Sequence, residues 1–129
     1  MRKGRDEEAA RLGLSIDEWR LLLVLDREGP QPSIRLAEAA LMDRGTVSKS
    51  VARMEKRGLV FRLSDAKDGR VAIVNLTETG QSKAASVSDF MVSRELDLIS
   101  VLSDDEWDAW LTITEKFYDR LNQVYGDDD

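Results

Sequence analysis

Residues 62–80 read R-L-S-D-A-K-D-G-R-V-A-I-V-N-L-T-E-T-G. Two β-type runs flank a charged tip that ends Asp68-Gly69-Arg70, and a helix start follows at Thr77. Asp-Gly between alternating apolar residues is hairpin chemistry, so strands are expected over 59–63 and 70–76. Alternation places Val71 and Ile73 on one face and Ala72, Val74 and Leu76 on the other. The five-to-six-residue connection should protrude.

Upstream, the chain reads as short helices. Ser15-Ile16-Asp17-Glu18 is a capping box, with Leu14 and Trp19 placed as a hydrophobic staple. The helix it opens carries Trp19, Leu22, Leu23 and a dense Leu-Val-Leu run, and stops before Gly29-Pro30. Ser33 is expected to cap a short helix with Ile34, Leu36, Ala37, Ala40 and Leu41 as its apolar face, ending near Met42. Asp43 is expected to cap a third helix over 44–57. Its buried stripe is Val47, Val51 and Met54, and Gly58 is its stop. The polar residues 1–13 form at best a short helix over 6–12.

Downstream of the hairpin, Thr77 caps a long helix reaching to about Val101. Val87, Met91, Leu98 and Leu102 mark its stripe, widened by Phe90 and Val101. A second capping box, Ser103-Asp104-Asp105-Glu106, comes with the staple pair Leu102 and Trp107. The last helix places Trp107, Trp110, Leu111, Thr114, Phe117, Leu121 and Val124 on one side, then frays into the acidic residues 126–129.

The 129 residues suit one ordinary domain. It divides into a supporting helix (14–30), a helix-helix-hairpin unit (31–76), two long helices (77–125) and an acidic tail (126–129). The fold class is mainly α with a small β-hairpin. Cysteine and histidine are absent. That excludes disulfides, thiolate chemistry and thiolate or imidazole metal sites. The carboxylates, lysines and hydroxyls show no catalytic arrangement, and no Gly-rich phosphate loop is present, so an enzyme is disfavoured and no cofactor is expected. There is no apolar run of membrane-spanning length and no apolar stretch behind the basic N-terminus, so a cytoplasmic protein is expected.

The net charge is −6, but it is unevenly spread. Residues 31–74 carry nine bases (Arg35, Arg44, Lys49, Arg53, Lys56, Arg57, Arg62, Lys67, Arg70) against five acids (Glu38, Asp43, Glu55, Asp65, Asp68). Residues 75–129 carry four bases against thirteen acids. A basic segment on an acidic body suits a nucleic-acid face, and equally an ordinary mixed surface.

The order of elements favours the first reading. Two short helices and a turn make a helix-turn-helix, and the hairpin makes it winged. In such a unit the second helix enters the major groove. Opposite Val47, Val51 and Met54 lie Arg44, Thr46, Ser48, Lys49 and Arg53, types that read base edges or hold phosphates. Small residues at 45, 48 and 52 allow close approach. Arg70 at the hairpin tip has the reach and charge for a minor groove. Arg62 and Lys67 add candidate DNA contacts, and Asp68 is placed to pair with Arg70 or Arg62 and fix the hairpin. The plain alternative is a solvated helix face and a surface ion pair of little energetic consequence.

These residues resemble a known family. Leu14-Ser15…Trp19…Leu25, Leu36-Ala37, Thr46-Val47-Ser48-Lys49, Glu55-Lys56-Arg57-Gly58-Leu59-Val60, Asp65-x-x-Asp68-Gly69-Arg70 and Leu76-Thr77-Glu78-Thr79-Gly80 closely resemble the multiple-antibiotic-resistance regulator (MarR) family over roughly residues 14–125. The resemblance implies a homodimeric winged-helix transcriptional regulator, usually a repressor, held by its N-terminal and two C-terminal helices. It implies small, often phenolic or aromatic, effectors that release DNA in many members. Ser48, Lys49 and Arg53 match its recognition-helix positions, and Asp68 and Arg70 its wing motif. Two departures stand out. Only thirteen residues precede Leu14, so that arm of the dimer interface is shortened, and Ala66 stands where many members have proline.

The stripes of the last two helices independently suggest association, because a small winged domain cannot cover them. Met91, Leu98, Trp107, Trp110, Phe117, Leu121 and Val124 are the candidate dimer contacts. Trp19, Leu23, Phe90 and Met91 are candidates for an effector pocket, although plain core is the preferred reading of such a stripe. The runner-up function is a winged-helix protein-interaction module without sequence-specific DNA binding.

Overall fold

A computed structural model describes residues 2–126 of the chain. Six helices and three strands follow in the order α1 (Arg2–Arg11), α2 (Ile16–Glu28), β1 (Gln31–Pro32), α3 (Ser33–Ala40), α4 (Arg44–Lys56), β2 (Val60–Ser64), β3 (Ala72–Leu76), α5 (Glu78–Ile99) and α6 (Asp104–Tyr125). The chain divides into two compact units, with the boundary inside α5 between Met91 and Val92.

In the first unit the core forms where the sequence periodicity places it. Trp19, Leu21, Leu22 and Leu25 of α2 pack with Leu36 and Ala37 of α3, Val47, Val51 and Met54 of α4, and Val60 and Val74 of the sheet, all nearly or fully buried. Ala84 and Val87 of α5 close it. Helix α1 begins earlier than the expected span over 6–12, and its Ala9 is buried to 1% exposure. Ala9, a short apolar residue that periodicity does not pick out, is its only buried side chain among those described.

The capping chemistry is borne out at four of five helix starts. Ser15 accepts from the Glu18 N–H at 3.1 Å while the Glu18 carboxylate accepts from the Ser15 N–H. Asp43 accepts from the Thr46 N–H at 2.9 Å. Thr77 accepts from the Gly80 N–H at 3.0 Å, and the Ser103–Glu106 box is complete. Ser33 is the exception. It is the first residue of α3, the cap position falls on Pro32, and no side chain caps there. The reason is tertiary: Gln31 and Pro32 are drawn into a third strand, so α3 starts directly from extended backbone.

The sheet order is β1-β3-β2, antiparallel throughout. Pro32 has no N–H to donate and is tolerated because β1 is an edge. Strands β2 and β3 pair from Val60↔Leu76 to Ser64↔Ala72, leaving a connection of residues 65–71, longer than expected. Opposed residues share a face, so Val60, Arg62, Val74 and Leu76 look inward and Phe61, Leu63, Ile73 and Asn75 look outward.

Helix α4 ends in a Schellman motif, with Leu59 N–H donating to Met54 O at 2.9 Å and Gly58 N–H to Glu55 O at 3.1 Å. Gly58 takes φ +72° there, the left-handed conformation glycine adopts without steric penalty. The chain beyond it is clamped to the start of α5. Thr77 donates its N–H to Leu59 O at 3.0 Å and its hydroxyl to Gly58 O at 2.5 Å. Gly80 lies so close that a Cβ there would stand 1.9 Å from the Leu59 oxygen, so no other residue fits without moving α5.

The second unit holds the end of α5, residues 100–103 and α6. Helix α6 has no buried residue among those described. The expected acidic tail at 127–129 lies outside the described residues.

Candidate nucleic-acid interface

Helix α4 sorts its residues by face. Val47, Ser50, Val51 and Met54 point inward, all at 1% exposure or less. At 100° per residue, Gly45, Lys49, Ala52 and Lys56 fall on the face opposite that stripe. Ser48 and then Arg44 lie toward one edge of that face, and Arg53 and then Thr46 toward the other. Arg44, Ser48, Lys49 and Arg53 are exposed, whereas Thr46 is half-buried. Small Gly45 and Ala52 lie between them, so the helix surface is low around the lysine.

Thr46 is not a free reading group. Its hydroxyl donates to Asp43 Oδ1 and its N–H to Oδ2. These two bonds, the hydroxyl first, hold the Asp43 carboxyl below the usual carboxylate range. Arg53 reaches back to the buried Ser50 hydroxyl at 3.5 Å.

The wing tip is shaped by its aspartates. Asp65 accepts from the Lys67 N–H at 3.0 Å, and Asp68 accepts from the Arg70 N–H at 3.1 Å. Both are Asx-type turns. Asp65 N–H to Val71 O at 2.8 Å closes the loop. Arg70 pairs with Asp68 at 3.3 Å and keeps its side chain 93% exposed. Of the two partners open to Asp68, it takes Arg70. Arg62 instead pairs with Glu55 of α4 at 3.0 Å. Its place on the inner face of β2 aims it at that helix, so the side chain ties the wing to α4.

The other expected groups are placed as follows. Trp19 is buried, and its ring meets Phe90 edge-on with centroids 5.5 Å apart. Leu23, Phe90 and Met91 pack partly buried against the same core. These four residues are packed together as core. A cavity of about 360 Å³ lies elsewhere, lined by Leu25, Asp26, Pro30, Phe61, Asn75, Leu76 and Gln81. In the second unit, Leu98, Trp110, Phe117, Leu121 and Val124 are between 49% and 69% exposed, and Trp107 is half-buried. Ile113 and Tyr118 extend this stripe. Their spacing carried the signal, at i+3 and i+4 from Trp110 and Thr114.

Sequence reasoning placed Glu18 in a capping box but missed its second partner. Glu18 is only 4% exposed. Its Oε1 completes the capping box, and its Oε2 accepts from Arg57. The pair is 39 residues apart in the chain, so no local pattern could announce it.

The sequence model of the MarR family matches residues 12–71. An uncharacterised HTH-type transcriptional regulator of Bacillus subtilis (strain 168), YxaD, is 36% identical, covering 95% of this chain and 83% of that protein. The chain belongs to the MarR family. A MarR-family chain of this kind is a winged helix-turn-helix transcriptional regulator that binds DNA, and its relatives include repressors. One is the HTH-type repressor IacR of Pseudomonas putida, 31% identical over 67% of this chain and half of that protein. Among solved structures, NadR in complex with 4-hydroxyphenylacetate superposes with a TM-score of 0.75 at 21% identity, covering 89% of this chain and 82% of that one. That likeness carries the MarR fold: mainly helical, with a three-stranded antiparallel wing sheet and long C-terminal helices. No described helix is long and apolar enough to cross a membrane.

Proposed function

We propose that this MarR-family chain, acting as one domain over 1–129, is a cytoplasmic repressor that binds a pseudo-palindromic operator as a homodimer. The observation that carries this is the pairing of an exposed basic face on α4, which holds Lys49, with the exposed Arg70 side chain at the wing tip. Two α4 helices, one per protomer, occupy successive major grooves. Half-site centres are one helical turn apart, about 10 base pairs. The wings at 62–72 reach the flanking minor grooves, where negative potential attracts Arg70. Arg44, Ser48, Lys49 and Arg53 read bases or hold phosphates. Lys67 reaches phosphate from the tip. Arg62, Thr46 and Asp68 act through the groups they hold.

The homodimer is supported by the uncovered stripe of Leu98, Trp107, Trp110, Phe117, Leu121 and Val124, since an apolar face of this size calls for a partner. Two-fold symmetry matches a two-fold operator. An effector of small aromatic or phenolic type is supported by the NadR complex in a protein of the same fold. It would act by shifting the dimer between two separations of its reading helices.

Selection from a random duplex library, read by sequencing, tests the proposal. A two-fold-symmetric motif with half-sites one turn apart is the expected result. Weak, salt-sensitive binding with no motif would leave the winged-helix interaction module as the better reading.

A further inference from the structure

Arg57 stands at the C-terminal cap of α4, one residue past the reading helix. Its position on a basic, half-exposed segment suggests a phosphate contact. Its hydrogen bonds say otherwise. Nη1 donates to Glu18 Oε2 at 2.5 Å, and Nη2 donates to the carbonyl oxygen of Gly13 at 2.5 Å. Both arms of the guanidinium therefore turn away from the reading face and into the corner between α1 and α2.

That corner is itself fixed from several sides. The Glu18 carboxylate is shared between Arg57 and the Ser15 N–H. Lys83 of α5 donates to the Leu12 carbonyl at 2.5 Å. The carbonyls of Leu12 and Gly13, left without partners at the end of α1, are thus each satisfied by a cation from a distant helix. A planar guanidinium holding two acceptors at fixed spacing transmits orientation, which a flexible ammonium does not.

We infer that Arg57 is a positioning residue for DNA reading: through Glu18 and Gly13 it locks the C-terminal end of α4 to the α1–α2 corner and so sets the angle at which the helix meets the groove. The inference rests on the reading of α4 as the recognition helix. A small change in that angle misplaces Lys49 and its neighbours relative to base edges. Phosphate contacts adjust more easily, because the backbone offers equivalent oxygens along its length.

The test compares the parent with Arg57→Lys and Glu18→Gln. Glutamine keeps an oxygen for the Ser15 N–H while removing the charge that holds Arg57. Affinities are measured for the duplex that the parent selects from a random library and for a scrambled duplex, across a salt series. Measurements are made at a temperature where circular dichroism shows each variant as folded as the parent. Both variants should lower the ratio of specific to scrambled affinity by about tenfold or more, the effect of misplacing one base contact. Scrambled binding and the salt slope should stay unchanged. Glu18 is buried and glutamine keeps the Ser15 bond, so agreement between Glu18→Gln and Arg57→Lys traces the effect to the tie between the two residues.

Three results would overturn the inference. A slope reduced by about 0.9 in a further, neutral Arg57→Gln variant would make Arg57 a phosphate contact. An unchanged ratio in the folded variants, with or without a lower melting temperature, would leave the pair a structural tie only. A parent that selects no motif removes the reading of α4, and this inference with it. A parent with a motif whose variants keep its ratio removes the inference alone.

Discussion

Leu41 occupies the backbone conformation that glycine occupies at the end of α4. Helix α3 ends in the same motif, with Met42 N–H bonded to Ala37 O and Leu41 N–H to Glu38 O, but the left-handed residue here is a leucine at φ +53°. Its side chain is 90% exposed, so no burial offsets the clash between Cβ and carbonyl that this conformation imposes. Leu41→Gly should therefore stabilise the protein by about 1 kcal/mol, after allowing for the extra unfolded-state entropy of glycine. Urea unfolding would measure it, and a loss of stability would mean that Leu41 is covered by something in solution. Asp43, two residues on, makes stability depend on pH. Its folded carboxyl is held below the usual range by the Thr46 hydroxyl and N–H. Its contribution is complete above the unfolded value near 4 and is lost as pH falls through the lower folded value. Asp43→Asn keeps an acceptor but no titrating proton. Between about pH 5 and pH 2 the parent should lose more stability than this variant, and parallel acid unfolding curves would refute the link.

At the scale of elements, Arg62, Glu55 and Thr77 fasten α4 and the wing, so that in the proposed DNA reading the two act as one device. Arg62 bonds Glu55 across the helix–strand junction, and Thr77 takes the carbonyls of Gly58 and Leu59. Arg70 is left outside this scaffold at the tip. Arg70→Ala should weaken DNA binding roughly tenfold and lower its salt slope, with dimerisation intact. Unchanged affinity would remove the wing from the interface. Lys49→Ala should alter sequence preference, whereas a uniform loss over all duplexes would assign it to phosphate. Much of this scale was legible in the residues. Ser15, Asp43, Thr77 and Ser103 cap within three positions of themselves, and Asp68-Gly69-Arg70 carries its own turn chemistry. What was not legible depends on residues brought together from afar. Strand β1 exists because β3 pairs with it, which also displaces the cap expected at Ser33. The bond from Arg62 to Glu55 is one such case, because sequence gives the charge but not the face of β2 it occupies. The bond from the Thr46 hydroxyl to Asp43, though local, was not legible either.

On the scale of the whole molecule, burial is lopsided. Every core residue lies in the unit that ends at Met91. Helix α6, twenty-two residues long, buries none of its own. Its aromatics stay open, with Trp110 at 60%, Phe117 at 69% and Tyr118 at 65% exposure. A charge in that stripe should prevent association without touching the first unit. Leu121→Asp is expected to give monomers by light scattering with an unchanged thermal transition for the core, and a stable dimer would place the interface elsewhere. The uncovered helix has a further consequence for the life of the protein in a cell. A newly made copy that has not met its twin displays a ribbon of tryptophan, phenylalanine and leucine of the sort that chaperones and proteases bind. In the proposed homodimer, pairing hides the ribbon. Copies made in excess of what can pair would then be the ones open to degradation, so turnover would remove lone subunits and spare paired ones.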